Sequence, residues 1–506
     1  MPRYVIIFGN HPIRQSLQAQ YEDAGISVMI RDEFSAGQLP EFVPNEVVIL
    51  TSGSHPDMEA CAFLPLLADA WRGKVENRPL VHLLLQKDAT LRMFSVSEFS
   101  ETVNKVLDVY PFTMEGAWSE RILVRLPGLG GHPRAGLDRL PIGKGSHQFV
   151  HLVIIGFDSY AQSIALTAAR VAHYPNYDGK APQPLRTRIT LIAPGILATK
   201  DPFIARYQTL FDHAYYRTVD VAGRKSWLHH PVYEGKREDF VDIEWEFVDA
   251  EPGNAVVLDK LSLWAKDALR QMTLICSGPD DSANIDGAIA LPASVYEGGI
   301  PVWVRMHQDL ISDTLCHSPK YRNLIPFGMD GEGYDAKVPL LKMARLLHYF
   351  YQCSYGGKGV PTVFPQHDVE KAWQSLGPMK MRLSSIYNVM TMVCKMHSLG
   401  HNPEDLSTFY ALTKEEIEVL SRTEHNRWSV ERLLSGTRPC TDEERKAIRE
   451  DISKKREYKV RDIHYDLCAY DELGDDETGK DVRTYDYDLT ACIPLIVESF
   501  LKEAQQ

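Results

Sequence analysis

Short apolar runs alternate with amphipathic stretches through the first quarter of the chain, beginning with YVIIF at residues 4–8. The predicted strands occupy residues 4–8, 26–30, 47–50 and 80–85, and the first predicted helix occupies residues 13–24. Strand-length runs separated by helical patterns are typical of a parallel sheet with helices on its faces. The pattern therefore predicts a doubly wound, Rossmann-like α/β domain over residues 1–126.

The same alternation begins again after a passage rich in Gly, Pro and Arg at residues 127–147. The segment FVHLVIIGFDSYAQSIALTAARVAHY reads as strand, turn and helix, and RTRITLIAP reads as the next strand. Later apolar runs lie at residues 241–248, 272–276, 302–305 and 323–327. A change of composition between two complete patterns indicates a domain boundary. We therefore predict a linker at residues 127–147 and a second Rossmann-like domain over residues 148–332.

Helical periodicity replaces the alternation from about residue 338. Three long amphipathic stretches follow, of which the last begins T-K-E-E at Thr413 and ends near Gly436. Thr followed three residues later by Glu is a capping box, and Gly is favoured just after a helix. Residues 333–506 are therefore predicted to be mainly helical.

The overall charge restricts the partners. The 506 residues include 68 acidic and 55 basic side chains, a formal charge of −13, which opposes attraction to nucleic acid or anionic membranes. No apolar stretch approaches the roughly 20 residues that span a bilayer. The eight cysteines contain no C-x-x-C pair, and the first residues carry no charged leader. We expect reduced thiols, a cytoplasmic location, no direct membrane insertion and no nucleic-acid partner.

The first strand-to-helix turn carries a degenerate dinucleotide fingerprint. Gly9 and Asn10 open the turn, but His11 and Arg14 stand where the G-x-G-x-x-G pattern has small residues. Asp32 follows the second predicted strand, near the position of a ribose-binding carboxylate. We treat Gly9, Asn10, His11 and Asp32 as candidate cofactor-binding residues, with an ordinary turn as the alternative.

The second turn is degenerate in another way. Gly156 and Ala161 fit the first and third small positions, but Asp158 replaces the middle glycine, next to Ser159. The following strand ends in Pro194 and not in an acidic residue. A helix N-terminus still favours an anion through its free amides. The candidate cofactor of either turn is therefore NAD or another nucleotide, and its identity is open.

One helix in the last third, SRTEHNRWSVERLLSGTRP, is too polar for a plain core and too aromatic for a plain solvent face. Its unusual side chains are Glu424, His425, Arg427, Trp428, Glu431 and Arg432. In one interpretation they form a core of packed rings and paired charges, because an unpaired buried charge is costly. In the other, Arg427 or Arg432 clamps an anion while Trp428 or a nearby Tyr stacks on a planar ring.

Residues 150–207 resemble the N-terminal nucleotide-binding domain of Trk-type potassium-uptake regulators, which are related to channel-regulating domains. Relatives of this type bind nucleotides through the Gly-rich loop and often form dimers. The resemblance implies a regulatory role, a homodimer and a separate membrane or effector partner.

The last third resembles the RyR (ryanodine receptor repeat) domain, which in bacterial proteins also occurs beside Trk-type domains. The matching residues are Glu424, His425, Trp428, Glu431, Arg432, Gly436, His464, Leu467, Tyr470, Asp471, Leu473, Lys480, Asp486 and Pro494. The match covers about residues 385–500, with residues 441–460 as an insertion. It implies a helical module in which the His-x-x-Trp helix packs against the Leu-x-x-Tyr-Asp-x-Leu turn, and it adds Tyr470 and Asp471 to the candidate ligand-binding residues.

The sequence contains no common catalytic signature. G-x-S-x-G, H-E-x-x-H and a Walker loop are all missing, and no metal-ligand motif is present. This favours a non-catalytic sensor that binds a small anionic, nucleotide-type ligand. The alternatives are an NAD(P)-dependent or nucleotide-processing enzyme that uses the first Rossmann loop, and an interaction scaffold without a small ligand.

Overall fold

The computed structural model of the chain is mixed α/β, with two mainly parallel sheets followed by a helical region. It describes residues 3–34, 39–40, 42–75, 77–96, 101–127, 131–231, 239–312, 314–315, 317–356, 360–376, 379–476 and 478–504. Residues 128–130 of the predicted linker, and Cys316, lie outside the described residues. The prediction of an α/β fold with parallel sheets is confirmed.

The first sheet has five parallel strands within the described residues, in the order β2-β1-β3-β4-β5. Its elements are β1 (Tyr4–Phe8), α1 (Arg14–Asp23), β2 (Ser27–Arg31), β3 (Glu46–Ile49), α2 (Pro56–Trp71), β4 (Leu80–Leu84), α3 (Asp88–Val96), α4 (Glu101–Val106), β5 (Asp108–Phe112) and α5 (Met114–Leu123). This order is a common doubly wound arrangement, in which ligands bind beyond the carboxyl ends of β1 and β3.

The second sheet follows the order β13-β12-β11-β6-β7-β10-β8-β9. Its elements are β6 (Phe149–Ile155), α6 (Ser159–Val171), β7 (Thr187–Ala193), α7 (Ile196–Arg206), α8 (Gln208–Phe211), β8 (Tyr215–Asp220), β9 (Lys225–His229), β10 (Ile243–Asp249), α9 (Ala255–Lys266), β11 (Arg270–Cys276), α10 (Asp281–Ile289), α11 (Ala293–Glu297), β12 (Val302–Arg305) and β13 (Leu324–Phe327). Apart from the antiparallel hairpin β8–β9, its strands are parallel. The order reverses between β6 and β11, which places the second crevice there.

The remaining elements are mainly helices. They are α12 (Pro339–Tyr355), α13 (Gln366–Ser375), α14 (Met379–Met390), α15 (Met392–Ser398), α16 (Lys414–Leu434), β14 (Arg438–Pro439), α17 (Asp442–Glu450), α18 (Lys454–Val460), β15 (Ile463–His464), α19 (Arg483–Ala491) and α20 (Ile493–Ala504). The predicted capping box of α16 is confirmed, because Thr413 and Glu416 bond each other's backbone N–H. Gly436 is left-handed (φ +88°) just beyond the helix.

The three parts pack on one another. Helices α5 and α6 lie side by side, with Ser119 Oγ 3.0 Å from Ser163 Oγ. Arg345 and Arg382 of the helical region both donate to buried Asp108 at the start of β5, at 2.6 and 3.0 Å. One apolar cluster runs through both sheets and the helices. The helical region is therefore attached to the sheets by both apolar packing and ion pairs.

Among the described residues, no helix is long and apolar enough to cross a membrane. No group of three or more His, Cys, Asp or Glu side chains among those residues is arranged to hold a metal ion.

Candidate functional site

The first crevice lies where β1 and β3 end. Gly9 is left-handed (φ +90°), and a Cβ there would lie 1.9 Å from the carbonyl oxygen of Leu50, so only glycine fits. The carbonyl of Asn10 accepts from Ser52 Oγ at 2.7 Å. His11 accepts from the backbone N–H of Ile13, and burial lowers its pKa. The turn is thus held by contacts within the protein.

Asp32 is paired inside this crevice. Arg14 is the first residue of α1. Its Nη1 donates hydrogen bonds to Asp32 Oδ1 at 2.6 Å and to the carbonyl of Gly9 at 3.0 Å. The Asp32 side chain is 76% exposed, so the pair is weak. The structure therefore brings the two sequence-predicted parts of this crevice, Gly9 and Asp32, together through Arg14.

The second crevice is filled by a carboxylate of the protein itself. Asp158 caps α6 by accepting from the N–H of Ala161 at 2.8 Å, and it also accepts from Ser277 Oγ at 2.9 Å. Arg305, at the end of β12, forms an ion pair with its other oxygen. Gly156 (φ +132°) approaches the backbone of Ser277 closely. A Cβ on Gly156 would lie 1.5 Å from the carbonyl oxygen of Ser277. The position where a pyrophosphate would meet the helix amides is occupied by Asp158.

A second carboxylate faces the same helix end. Ser159 donates to Glu115 Oε1 of α5 at 3.0 Å, and burial raises the pKa of Glu115. The neighbouring helix α7 is capped in a similar way, because Asp249 accepts from the N–H groups of Gly195 and Leu197. The N-termini of α6 and α7 at this edge of the second sheet therefore already carry an anionic group.

Helix α16 buries a balanced cluster of charges. Arg427, which is 1% exposed, donates to Glu424 at 2.8 to 3.0 Å and to Glu431 at 2.7 Å. Lys395 of α15 and Asn388 of α14 donate to the two oxygens of Glu424, at 2.5 and 2.7 Å. Burial alone would raise the pKa of Glu424, but Arg427 and Lys395 lower it to about 2. Two cations and two anions compensate one another, so this part of the helix is a paired core.

His425 shares a proton with Asp486. Its Nε2 lies 2.9 Å from the carbonyl oxygen of Cys468 and must carry a hydrogen, whereas Nδ1 lies 3.2 Å from Asp486. Burial opposes the charged forms of both groups, but contact with Asp486 raises the pKa of His425, and burial raises the pKa of Asp486. The pair therefore holds the proton between α16 and α19, as an imidazolium beside a carboxylate or as a neutral imidazole beside a carboxylic acid.

Trp428 and Arg432 form the outer edge of the same helix. The half-buried Trp428 ring stacks near His425 at 5.6 Å and meets the edge of His464 at 4.9 Å between ring centroids. The Arg432 guanidinium lies 5.7 Å from the centre of the Trp428 ring. Its closest polar partners are Ser384 Oγ at 3.4 Å and Glu431 Oε1 at 3.7 Å, both outside good hydrogen-bond range. Within the part of the chain that the structure describes, Arg432 is therefore a cation whose nearest anion, Glu431, is 3.7 Å away.

Tyr470 and Asp471 lie beside α16 but serve another contact. The Arg422 guanidinium lies 4.7 Å from the Tyr470 ring centre and 2.7 Å from Asp471. Asp471 also meets Lys180 of the second α/β unit at 3.3 Å. Asp471 thus links the helical region to the second α/β unit. The resemblance to the RyR domain suggested instead that Asp471 contacts a ligand.

Sequence reasoning missed several residues of these clusters. Arg305, Asp249 and Asn388 reach their partners from distant segments and carry no local signal. Lys395 does carry one, because it is a lone cation within the apolar stretch MVCKMHS. A buried cation in such a stretch requires a carboxylate partner.

Comparison of the sequence with models of known protein families found no match, and comparison with curated proteins found none either. The resemblance to Trk-type and RyR domains therefore stays a prediction, and a function has to be argued from the geometry above.

Proposed function

We propose that this chain is a non-catalytic regulatory protein in which two Rossmann-like domains carry a helical RyR-type domain that senses a small anionic, nucleotide-type ligand. The observation that carries the proposal is Arg432, a guanidinium only 13% exposed that has no anion closer than 3.7 Å among the described residues. A desolvated cation that lacks a close anionic partner gains free energy when an anionic ligand supplies one. We define the Arg432 site as Arg432, Trp428 and His464.

The choice between the two candidate arginines follows from their partners. Arg427 uses its guanidinium on Glu424 and Glu431, so it cannot clamp a ligand without leaving those carboxylates unpaired. Arg432 has no such commitment, and its guanidinium lies beside an aromatic ring that suits a planar ligand.

More cations than anions act on His464 at the Arg432 site. Burial lowers the pKa of His464 well below its usual value, and Lys459, Arg432 and Lys455 lower it further. One carboxylate, Asp466, lies 3.7 Å from His464 Nδ1 and is already paired with Lys455 at 2.9 Å. This excess of cations favours an anionic ligand even though the whole chain carries −13.

The same helix offers a route to the rest of the molecule. Arg422, three turns before Arg432 on α16, meets Asp471, which in turn meets Lys180 of the second α/β unit. A ligand that shifts α16 would strain these exposed ion pairs and change how the helical region sits on the sheets. We propose that a separate membrane or effector partner in the cytoplasm reads this change, with the protein acting as a homodimer.

Native mass spectrometry and titration calorimetry of the full chain test the proposal, with NAD, ADP-ribose, ATP and cyclic nucleotides as the added compounds. We expect at least one to bind, and Arg432→Gln to weaken its binding about 10- to 150-fold, the equivalent of one charge-assisted hydrogen bond. Lys414→Gln, which replaces an exposed cation in the first turn of the same helix, away from the Arg432 site and from the Asp471 ion pairs, is the matched control. The native mass also gives the subunit number.

Two results would overturn the assignment of the site. Binding lost in a folded Asp32→Ala but kept in Arg432→Gln would move the ligand to the first crevice and favour the enzyme alternative. Binding of none of the compounds would favour the ligand-free scaffold.

A further inference from the structure

A cavity of about 260 Å³ lies at the amino ends of the strands in the second sheet, at the opposite edge from the Asp158 crevice. Its lining includes Arg188, Arg217, Glu244, Glu246, Lys260 and Trp264. The volume falls below the range of roughly 300–1,000 Å³ typical of drug-sized ligands. The cavity therefore fits a small metabolite.

A chain of buried hydrogen bonds crosses the strands β11, β6, β7 and β10 and ends at this cavity. Arg270 Nη1 lies 2.8 Å from His151 Nδ1, His151 Nε2 lies 2.8 Å from Thr190 Oγ1, and Thr190 donates to Glu246 Oε2 at 3.2 Å. Arginine can only donate, so His151 Nδ1 accepts and its Nε2 carries the hydrogen. Thr190 then accepts from His151 and directs its own hydrogen at Glu246. Every bond in the chain points the same way and holds Glu246 as an acceptor.

Such a polar chain is unusual on the buried face of a mainly parallel sheet, which is normally apolar. His151 and Thr190 are fully buried, and Glu246 is 9% exposed. Thr190 is the only hydrogen-bond partner of the Glu246 carboxylate within the described residues, and no cation pairs with it there. Arg270 acts on Glu246 only at longer range, so a ligand cation in direct contact would stabilise this desolvated carboxylate further.

Two cations of the cavity lining have no ion-pair partner. Glu244 neutralises Arg188 in an ion pair. Within the described part of the chain, neither the half-buried Lys260 nor the exposed Arg217 makes a hydrogen bond or ion pair through its side chain. The lining therefore presents one carboxylate and two cations that form no ion pair there, beside the ring of Trp264.

We propose that this cavity binds a small zwitterion that presents a cationic N–H group to Glu246 and a carboxylate or phosphate to Lys260 and Arg217. His151 and Thr190 act as positioning residues that fix the orientation of Glu246. The site stands apart from the Arg432 site and does not depend on the function proposed above.

Titration calorimetry of the full chain tests this inference with two sets of compounds. The twenty standard L-amino acids present a carboxylate, and phosphoethanolamine presents a phosphate; acetate, inorganic phosphate and ethylamine each carry only one of the two charges. We expect at least one zwitterion to bind more than tenfold tighter than any single-charge compound. Tighter binding of an amino acid would identify the anionic group of the ligand as a carboxylate, and tighter binding of phosphoethanolamine would identify it as a phosphate.

Variants assign the binding to the cavity. We expect Glu246→Gln and Lys260→Met each to weaken the zwitterion at least tenfold. Lys266→Met, an exposed lysine of α9 outside the cavity lining, should leave its affinity unchanged. Thr190→Val should weaken binding and Thr190→Ser restore it, because only the serine keeps the hydroxyl. Arg432→Gln should have no effect.

The inference is wrong if no zwitterion binds, or if the affinity is the same in Glu246→Gln and Lys260→Met as in the parent chain. Circular dichroism checks that each variant folds. Should Glu246→Gln not fold, the half-buried Lys260 decides, since its replacement leaves the buried hydrogen-bond chain intact.

Discussion

Replacing Arg427 with Met should strongly destabilise α16, because it leaves two buried carboxylates with too few cations. Glu424 would keep Lys395 and Asn388. Among the described residues, Glu431 would keep only Ser384 Oγ at 3.1 Å and Arg432 at 3.7 Å as near polar partners. Removing one partner of a buried pair typically costs about 3–5 kcal/mol. Methionine fills part of the volume with a flexible chain, so most of the loss reflects charge and not packing.

Native-state hydrogen exchange with mass spectrometry measures this loss in the full chain, in peptides covering residues 414–434. Since about 1.4 kcal/mol corresponds to a factor of ten, the amides of α16 should exchange about 10² to 10³·⁵ times faster. Arg422→Met, on the same helix, removes exposed ion pairs worth under about 1 kcal/mol and should raise the rates by less than about fivefold.

The pH dependence of the Arg427→Met deficit provides a second check. Without Arg427, burial would raise the pKa of the remaining carboxylates, so the folded variant binds protons that the unfolded chain does not. The stability of the variant should then rise as the pH falls from 7 to 5, and its deficit should shrink. A rate increase below tenfold at pH 7, or a deficit that grows on acidification, would refute the buried-pair account.

Three further predictions concern single sites. Gly156→Ala should lower the free energy of unfolding, measured by thermal unfolding, by about 3 kcal/mol, because φ is +132° and the new Cβ would clash with the Ser277 carbonyl. Gly287→Ala should not destabilise the protein, because the space around Gly287 is open. Thr413→Ala should cost about 1 kcal/mol by removing the capping box, measured as faster exchange in the first turn of α16. The pKa of Glu424 is lowered from 4.5 to about 2, so the ionised side chain stabilises the fold fully above pH 4.5, and this stabilisation is lost as the pH falls toward 2. Glu424→Gln should therefore flatten the acid limb of a circular-dichroism titration.

The prediction of strands from the sequence succeeded where the strands are buried and failed where they are exposed or at a sheet edge. Apolar runs such as YVIIF gave strand bounds within about two residues of those observed, because both faces of a central parallel strand are buried. The hairpin β8–β9 was missed because its outer strand is almost entirely exposed and has no apolar pattern. Strand β5 was missed because Pro111 argues against a strand, although an edge position tolerates it.

The candidate site was predictable only as a set of residue types. Six positions of α16 stood out from the sequence, but their division between a paired core and an outer edge depends on Lys395 and Asn388, which belong to other helices. The filling of the second crevice depends on Arg305, which lies 147 residues from Asp158. Spacing within one segment cannot report such contacts, because they arise from the tertiary fold.

The self-filled crevice and the Arg432 site differ in what an incoming anion must displace. At α6 a phosphate would have to replace Asp158, breaking its bonds from Ser277 and Arg305. Two hydrogen bonds to a charged group contribute about 3–6 kcal/mol, which would weaken binding by about 10² to 10⁴. At Arg432 the nearest anion of the described residues is 3.7 Å away, so an incoming anion breaks no strong bond to it. We therefore expect an anionic ligand to bind at the helical region in preference to the crevice that the sheet topology alone would suggest.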